Sequence, residues 1–233
     1  MMISKGIENI DLVMPKDAYD TGKDMPTFNT YLTVVVRNSE GRVIRVHRQR
    51  SHSPTFNFMS LFLPLQYYIN CSCSTSLTNT GNSTNSFAPG NNSSAKCISY
   101  PNAATSFSSF LYMIQVGSGQ QSNPYNSYSL ASPIANGSGS GQLVYGTPSV
   151  SPNITVSGNS AYFTISQTFN NSSGGTVTIT EVGIVTQIVI ISSNGSNTTI
   201  PGQLLVWYDV LSSSISVPNG GSVTIYYTFT VNP

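Results

Sequence analysis

Apolar and polar residues alternate with a period of two over several stretches of this chain, and that period belongs to half-buried β-strands. Over residues 222–231, Val223, Ile225, Tyr227, Phe229 and Val231 fall on one face; Thr224, Tyr226, Thr228 and Thr230 fall on the other. Residues 27–37 are rich in β-branched and aromatic types and predict a strand, Asn38-Ser39-Glu40-Gly41 a hairpin turn, and residues 42–50 the returning strand. On that return Arg42, Ile44, Val46, Arg48 and Arg50 share one face, and Val43, Arg45, His47 and Gln49 the other. Further strands are predicted over 109–116, 142–145, 153–156, 160–168, 176–180, 184–191 and 203–211, with Gly-, Asn- and Ser-rich turns between them. Many short strands at this spacing predict an all-β fold, an antiparallel β-sandwich or jelly roll. One exception follows the hairpin: Ser53 suits a helix cap and Pro54 a first helical position, so a short buried helix is expected to about Leu63, where Pro64 bends or ends it.

Charge divides the chain. Only 7% of its 233 residues are charged, against roughly 25% in ordinary soluble domains. Fourteen of the 17 charges lie in residues 1–50, and only Lys96, Glu181 and Asp209 come later. Residues 1–25 hold most of the acids and read as a polar arm, leaving 26–233 as one β-domain. A surface wetted by hydroxyls and amides is indifferent to pH and salt, which suits an exterior protein. A surface covered by neighbouring subunits gives the same composition, because unpaired charge is costly to bury. Residues 1–25 lack the apolar core of a secretion signal. The longest apolar stretch, 56–69, is interrupted by Asn57, Pro64 and Gln66 and is too short for a membrane span.

Residues 70–106 are dominated by Ser, Asn and Thr and read as a loop-like insertion, with disorder the alternative. Cys71 and Cys73 sit too close to pair with one another. A bridge from either of them to Cys97, Cys73–Cys97 or Cys71–Cys97, would close a loop of about 25 residues and contribute about 3 kcal/mol; free thiols fit equally. Asn-x-Ser/Thr sequons at Asn70, Asn82, Asn91, Asn92, Asn136, Asn153, Asn170, Asn171, Asn194 and Asn197 are candidate glycan sites.

The chemistry of catalysis is sparse. General acid–base work needs two carboxylates in reach or a tuned histidine. After residue 50 the only acids are Glu181 and Asp209, a pair that reads more readily as hydrogen-bond anchors. Gly117-Ser118-Gly119 is a turn, since no helix pattern follows it. No catalytic residue, cofactor site, metal site or small-molecule substrate is expected. The basic hairpin is the clearest chemical feature: Arg37, Arg42, Arg45, Arg48 and Arg50, with His47 and His52. Such a cluster faces DNA phosphates in a pore, pairs between subunits with the acidic arm (Glu8, Asp11, Asp17, Asp20, Asp24), or is a merely solvated face. Tyr67-Tyr68, Tyr125, Tyr128, Tyr226-Tyr227 and Trp207 suit core or subunit packing, with sugar stacking the alternative.

Three segments resemble tail, collar and baseplate-type structural proteins of tailed phages and archaeal viruses. The first is residues 43–62, a strand ending in the His52-Ser53 pair before a short aromatic segment. The second is 114–137, where Gly117-Ser118-Gly119 and Leu130–Ile134 match a glycine-rich turn and a Leu/Pro-Ile segment. The third is 179–185, an acid before glycine, followed by 204–231 with its Pro-Asn-Gly turn. The scarcity of charge and the Ser/Asn-rich insertion lean toward spindle-shaped viruses of archaea. The resemblance implies a homo-oligomeric ring, a nozzle or adaptor at the tailed end of a virion. Its partners would be its own copies, other tail or capsid proteins and, in the channel, genomic DNA. Two alternatives stand beside it: a secreted cell-surface adhesin or glycan-binding domain, and a jelly-roll capsid protein.

Overall fold

The computed structural model describes residues 27–51, 54–59, 75–82, 84–87, 98–99, 114–150, 153–186, 189–191, 197–199 and 203–232. The arm expected over 1–25, the three cysteines, Lys96 and the His52-Ser53 pair lie outside the described residues. The strands are β1 (Thr27–Arg37), β2 (Val43–Ser51), β3 (Thr75–Thr78), β4 (Thr84–Phe87), β5 (Ile98–Ser99), β6 (Ile114–Gly117), β7 (Val144–Tyr145) and β8 (Ser149–Val150). They continue with β9 (Thr155–Ser157), β10 (Ser160–Asn170), β11 (Val177–Thr186), β12 (Val189–Ile191), β13 (Asn197–Thr199), β14 (Leu204–Val217) and β15 (Ser222–Asn232). Among the described residues all strand pairs are antiparallel and there is almost no helix, the all-β class that the alternation predicts.

The larger sheet has the order β2-β1-β15-β10, with β7, β8 and β9 along the far side of β10. A second sheet has the order β14-β11-β6. Alternation gives each a buried face: Leu32, Val34, Val36, Val223, Ile225, Tyr227 and Phe229 from the first, Ile114, Val116, Ile179, Val182, Ile184 and Ile215 from the second. These side chains share one core cluster, each contributing about 1.5–3 kcal/mol by leaving water. Trp207 sets its ring edge-on to both Phe58 and Phe229, with centroids 5.2 and 5.4 Å apart.

The flanks between the sheets are closed by side chains in place of a ladder. On one flank the inward residues of β2 all reach β14. Arg45 donates to Ser214 O and Ser213 Oγ (2.9 Å each); Gln49 donates to Val210 O (3.0 Å) and accepts from Ser212 N (2.9 Å). His47 stands between Gln49 Oε1 and the hydroxyls of Ser212 and Ser213. On the other flank buried Gln167 accepts from Ile114 N and donates to Gly146 O, both at 2.9 Å. An amide carries one donor and one acceptor group, so it can stand in for a strand's backbone.

Several expectations are corrected. The strands expected over 176–180 and 184–191 are instead the single β11, which continues through Gly183 to Thr186 before β12. The strand expected to end at Leu211 runs on to Val217, because Ser212, Ser213 and Ser214 find partners on β2. The segment read as an insertion loop contains the β3–β4 hairpin, gripped by buried Asn57, which exchanges hydrogen bonds of 2.8 and 3.1 Å with the backbone of Thr78. Of the expected buried helix, residues 56–59 form a helical turn in which Asn57 is buried but Phe56 and Met59 are exposed.

Candidate functional site

The acids of the described residues are Glu40, Glu181 and Asp209, and strand geometry decides what the last two can do together. In the β11–β14 register Val182 stands opposite Asp209, and Glu181 opposite Val210. Directly opposed residues share a face and neighbours alternate, so the two carboxyl groups project from opposite faces of the sheet. They do not form an acid–base pair.

Glu181 is fully buried on the outer face of the second sheet. The 118–134 segment crosses that face, packing Leu130 against Val185, Leu205 and Tyr208. Its backbone delivers three N–H groups to Glu181: Gly119 (3.2 Å) and Ser132 (2.8 Å) to Oε1, and Ala131 (2.9 Å) to Oε2. The Tyr208 hydroxyl donates to Oε2 at 2.8 Å and itself accepts from Gln121 N at 2.7 Å. A Cβ on Gly117 would lie 2.3 Å from Oε1, and one on Gly183 would lie 2.5 Å from Leu205 Cδ1 and 3.1 Å from Leu130 Cδ2. Both glycines are therefore required by close approach. The segments 117–119, 130–134 and 179–185, far apart in sequence, thus meet around one carboxylate.

Asp209 is the inward counterpart. Its Oδ2 accepts from Ser51 Oγ at 2.6 Å and from the Tyr227 hydroxyl at 2.9 Å, and Ser51 Oγ accepts from Trp207 Nε1 at 2.5 Å. This chain ties the end of β2 to β14 and β15 through the core. Burial first, then the adjacent Asp209 charge, holds the Tyr227 hydroxyl well above its ordinary value near 10. Tyr208 is raised too, by burial first, with Glu181 adding against the opposing bond from Gln121. A raised folded-state value leaves stability intact below the unfolded value and removes it as pH climbs through the folded one. Stability should therefore be flat to about pH 9 and fall above pH 10, by about 1.4 kcal/mol per pH unit for Tyr227 alone. Urea titrations at pH 8, 9, 10 and 11 check this; equal midpoints at pH 9 and 11 would refute it.

The five arginines do not form one patch. Arg37 donates to Gly41 O and Arg42 pairs with Glu40 at the hairpin tip, while Arg45 belongs to the β2–β14 seam. A bulge between Val36 and Arg37 takes Arg42 out of the strand alternation. Arg48 and Arg50 alone share the outer face of the larger sheet, Arg48 lying 5.7 Å from the Tyr31 ring centroid. With Tyr31, Gln49, Thr230 and Asn232 they line an open groove of about 560 Å³. The rest of that face is an uncharged grid. Arg48, Thr33, Tyr226 and Ser166 form one cross-strand row, and Arg50, Tyr31, Thr228 and Thr164 the next. Thr164 and Thr168 hydrogen-bond Thr228 and Thr224 across it at 3.1 and 2.9 Å.

Of the sequons, Asn82, Asn136, Asn153 and Asn170 are exposed, whereas Asn171 is buried with its amide committed to Gly175 O and Val217 O. That amide is unavailable to a glycan in the folded chain. Asn70, Asn91, Asn92 and Asn194 lie outside the described residues, and Asn197 falls in β13. Among the described residues no group of three His, Cys, Asp or Glu side chains is placed to hold a metal ion, and no helix is long and apolar enough to cross a membrane. Sequence reasoning did not assign Glu181 its converging amides; a lone acid inside the apolar run of 179–185 was the available signal, since a buried carboxylate must find donors. No protein-family model, curated protein or solved structure matches this chain.

Proposed function

We propose that this chain is a structural subunit of a virus particle. It is a β-sandwich whose copies associate into a ring-type tail, nozzle or adaptor component at the tailed end of the virion. There it joins the particle body to a tail or spikes and contacts other tail or capsid proteins. The observation that carries the self-association is the edge strand β2. It is nine residues long, has no strand partner on its outer side among the described residues, and exposes Val43 (48%), Ile44 (53%) and Val46 (60%). A long edge with exposed β-branched residues is a template for pairing with another chain. The two buried acids support a mechanical role, since both are spent on holding the fold. The viral setting rests on the three resembling segments, whose glycines, acid and turn residues lie where segments distant in sequence are latched together.

The test is the mass of the purified full chain at low concentration, by light scattering or mass photometry. A discrete oligomer is expected, and a monomer at every concentration would refute the subunit reading. The double variant I44K/V46K should shift the population toward monomer by at least tenfold, because lysine blunts an edge. Its folding stability should stay within about 0.5 kcal/mol, as both positions are exposed. An assembly of unchanged mass would remove β2 from the interface. The hydroxyl and tyrosine grid beside Arg48 favours a second reading, a glycan-binding domain; a monomer retained on a glycan array would select it.

A further inference from the structure

We infer that the groove lined by Tyr31, Arg48, Arg50, Thr230 and Asn232 is the docking site for the acidic arm, residues 1–25, of a neighbouring copy. This rests on the reading of the chain as a subunit of an assembly and names the contact that links its copies. Charge complementarity is the first argument. Of the eight acids in the chain, Glu40 is paired with Arg42, Glu181 and Asp209 are buried, and the other five are Glu8, Asp11, Asp17, Asp20 and Asp24. Lys5, Lys16 and Lys23 leave the arm net negative. On the described surface Arg37, Arg42 and Arg45 are engaged by their own chain, and Arg48 and Arg50 meet no carboxylate among the described residues. The acids other than Glu40, Glu181 and Asp209 are thus all in the arm, and the arginines of the described surface that no hydrogen bond or ion pair of their own chain engages are in the groove. Arginine forks suit carboxylates through paired hydrogen bonds, and Thr230 and Asn232 add neutral polar groups beside them.

Reach allows the arm to meet a neighbouring copy. The arm joins β1 at Thr27, opposite Asn232, while Tyr31 and its partner Arg50 lie four residues further along the strand. Twenty-five residues span at most roughly 90 Å, several times the roughly 17 Å radius of gyration of a domain this size. Each arm reaching the next copy is a head-to-tail contact, which closes into a ring when the rotation permits.

Two full-length variants test this by charge exchange. One reverses the groove (R48E/R50E) and the other the arm (D17K/D20K/D24K). Each alone should associate at least tenfold more weakly than the wild type, and the wild-type association should weaken with added salt. Mixed in equal amounts they should recover the wild-type mass, since each groove then meets an arm of opposite sign on the other chain. Recovery in a single chain carrying both reversals, but not in the mixture, would assign the groove to its own arm and overturn the inference. Variants that assemble like the wild type overturn it while leaving the subunit reading standing. Loss of salt-dependent binding to double-stranded DNA in R48E/R50E, with assembly unchanged, would overturn it in favour of phosphate. A wild-type chain that never associates refutes the subunit reading, and the inference falls with it. The charge-neutral pair R48Q/R50Q, monitored by far-ultraviolet circular dichroism, separates loss of docking from loss of fold.

Discussion

Replacing Glu181 with alanine is expected to cost about 3–5 kcal/mol, although the residue does not line the groove of Tyr31, Arg48 and Arg50. Four donors converge on its two oxygens, three of them backbone N–H groups from one crossing segment. Each buried donor left without an acceptor costs about 1–3 kcal/mol. Four such penalties would exceed what holds the 118–134 segment down, so the segment should lift and let water satisfy its amides. The loss then appears as local opening that also uncovers Leu130, Leu205 and Tyr208. The glutamine variant keeps one acceptor oxygen but turns an amide N–H₂ toward donors, and should lose about 2–3 kcal/mol. G117A should act in the same direction, because its Cβ would stand 2.3 Å from Oε1. Denaturant titration gives the size, and hydrogen exchange at Gly119, Ala131 and Ser132 gives the place. If E181A keeps its midpoint and those amides stay protected, Glu181 is not what fastens the segment.

The elements legible in the sequence were those whose period is enforced by a single buried face. β1 spans the residues predicted for it, and the apolar residues of β15 from Val223 to Phe229 all enter the core. The hairpin between β1 and β2 was readable from Gly41, whose φ of 77° belongs to the left-handed region. What could not be read was chemistry that depends on a partner distant in sequence. Three consecutive serines look like the end of a strand until Arg45, His47 and Gln49 arrive from β2 to bond them. Gly183 looks like a break until Leu130 and Leu205 are seen to need its space. The alternation read in the sequence already separates Arg45 from Arg48 and Arg50; the bulge that detaches Arg42 and the seam that takes Arg45 depend on partners the sequence does not show. Of the groove, only its two arginines stood in the expected cluster; Tyr31, Thr230 and Asn232 reach it through the β2-β1-β15 order.

Asn171 should be more sensitive than the exposed sequon positions Asn82, Asn136, Asn153 and Asn170, for a reason unrelated to glycans. The chain passes between the sheets twice at one end of the core, from β10 to β11 and from β14 to β15, and Asn171 sits between the two crossings. Its Nδ2 donates to Gly175 O and Val217 O at 2.8 and 2.7 Å, and its Oδ1 accepts from Ser173 N and Ser173 Oγ at 3.0 and 2.7 Å. Its backbone donates to Gly221 O and accepts from Gly220 N. A bond from Gly174 N to Asn219 Oδ1 ties the turns a second time. At 1% exposure, an alanine here removes the amide donor from Val217 O and the acceptor from Ser173 N, leaves Gly175 O only the 3.2 Å bond from Ser173 Oγ, and should cost about 2–4 kcal/mol. Aspartate should do at least as badly, because it sets an acceptor against the carbonyl oxygens of Gly175 and Val217. The neighbouring N170Q also removes a sequon, but from an exposed side chain, and should stay within about 0.5 kcal/mol of the wild type. The contrast between N171A and N170Q in one denaturation experiment isolates the clamp from any effect of glycosylation, provided both proteins come from a host that adds no glycans. Equal stabilities would mean that the two crossings are held by their backbone bonds alone. In a glycosylating host, a glycan found on Asn171 of the native, fully folded protein would contradict the committed amide directly.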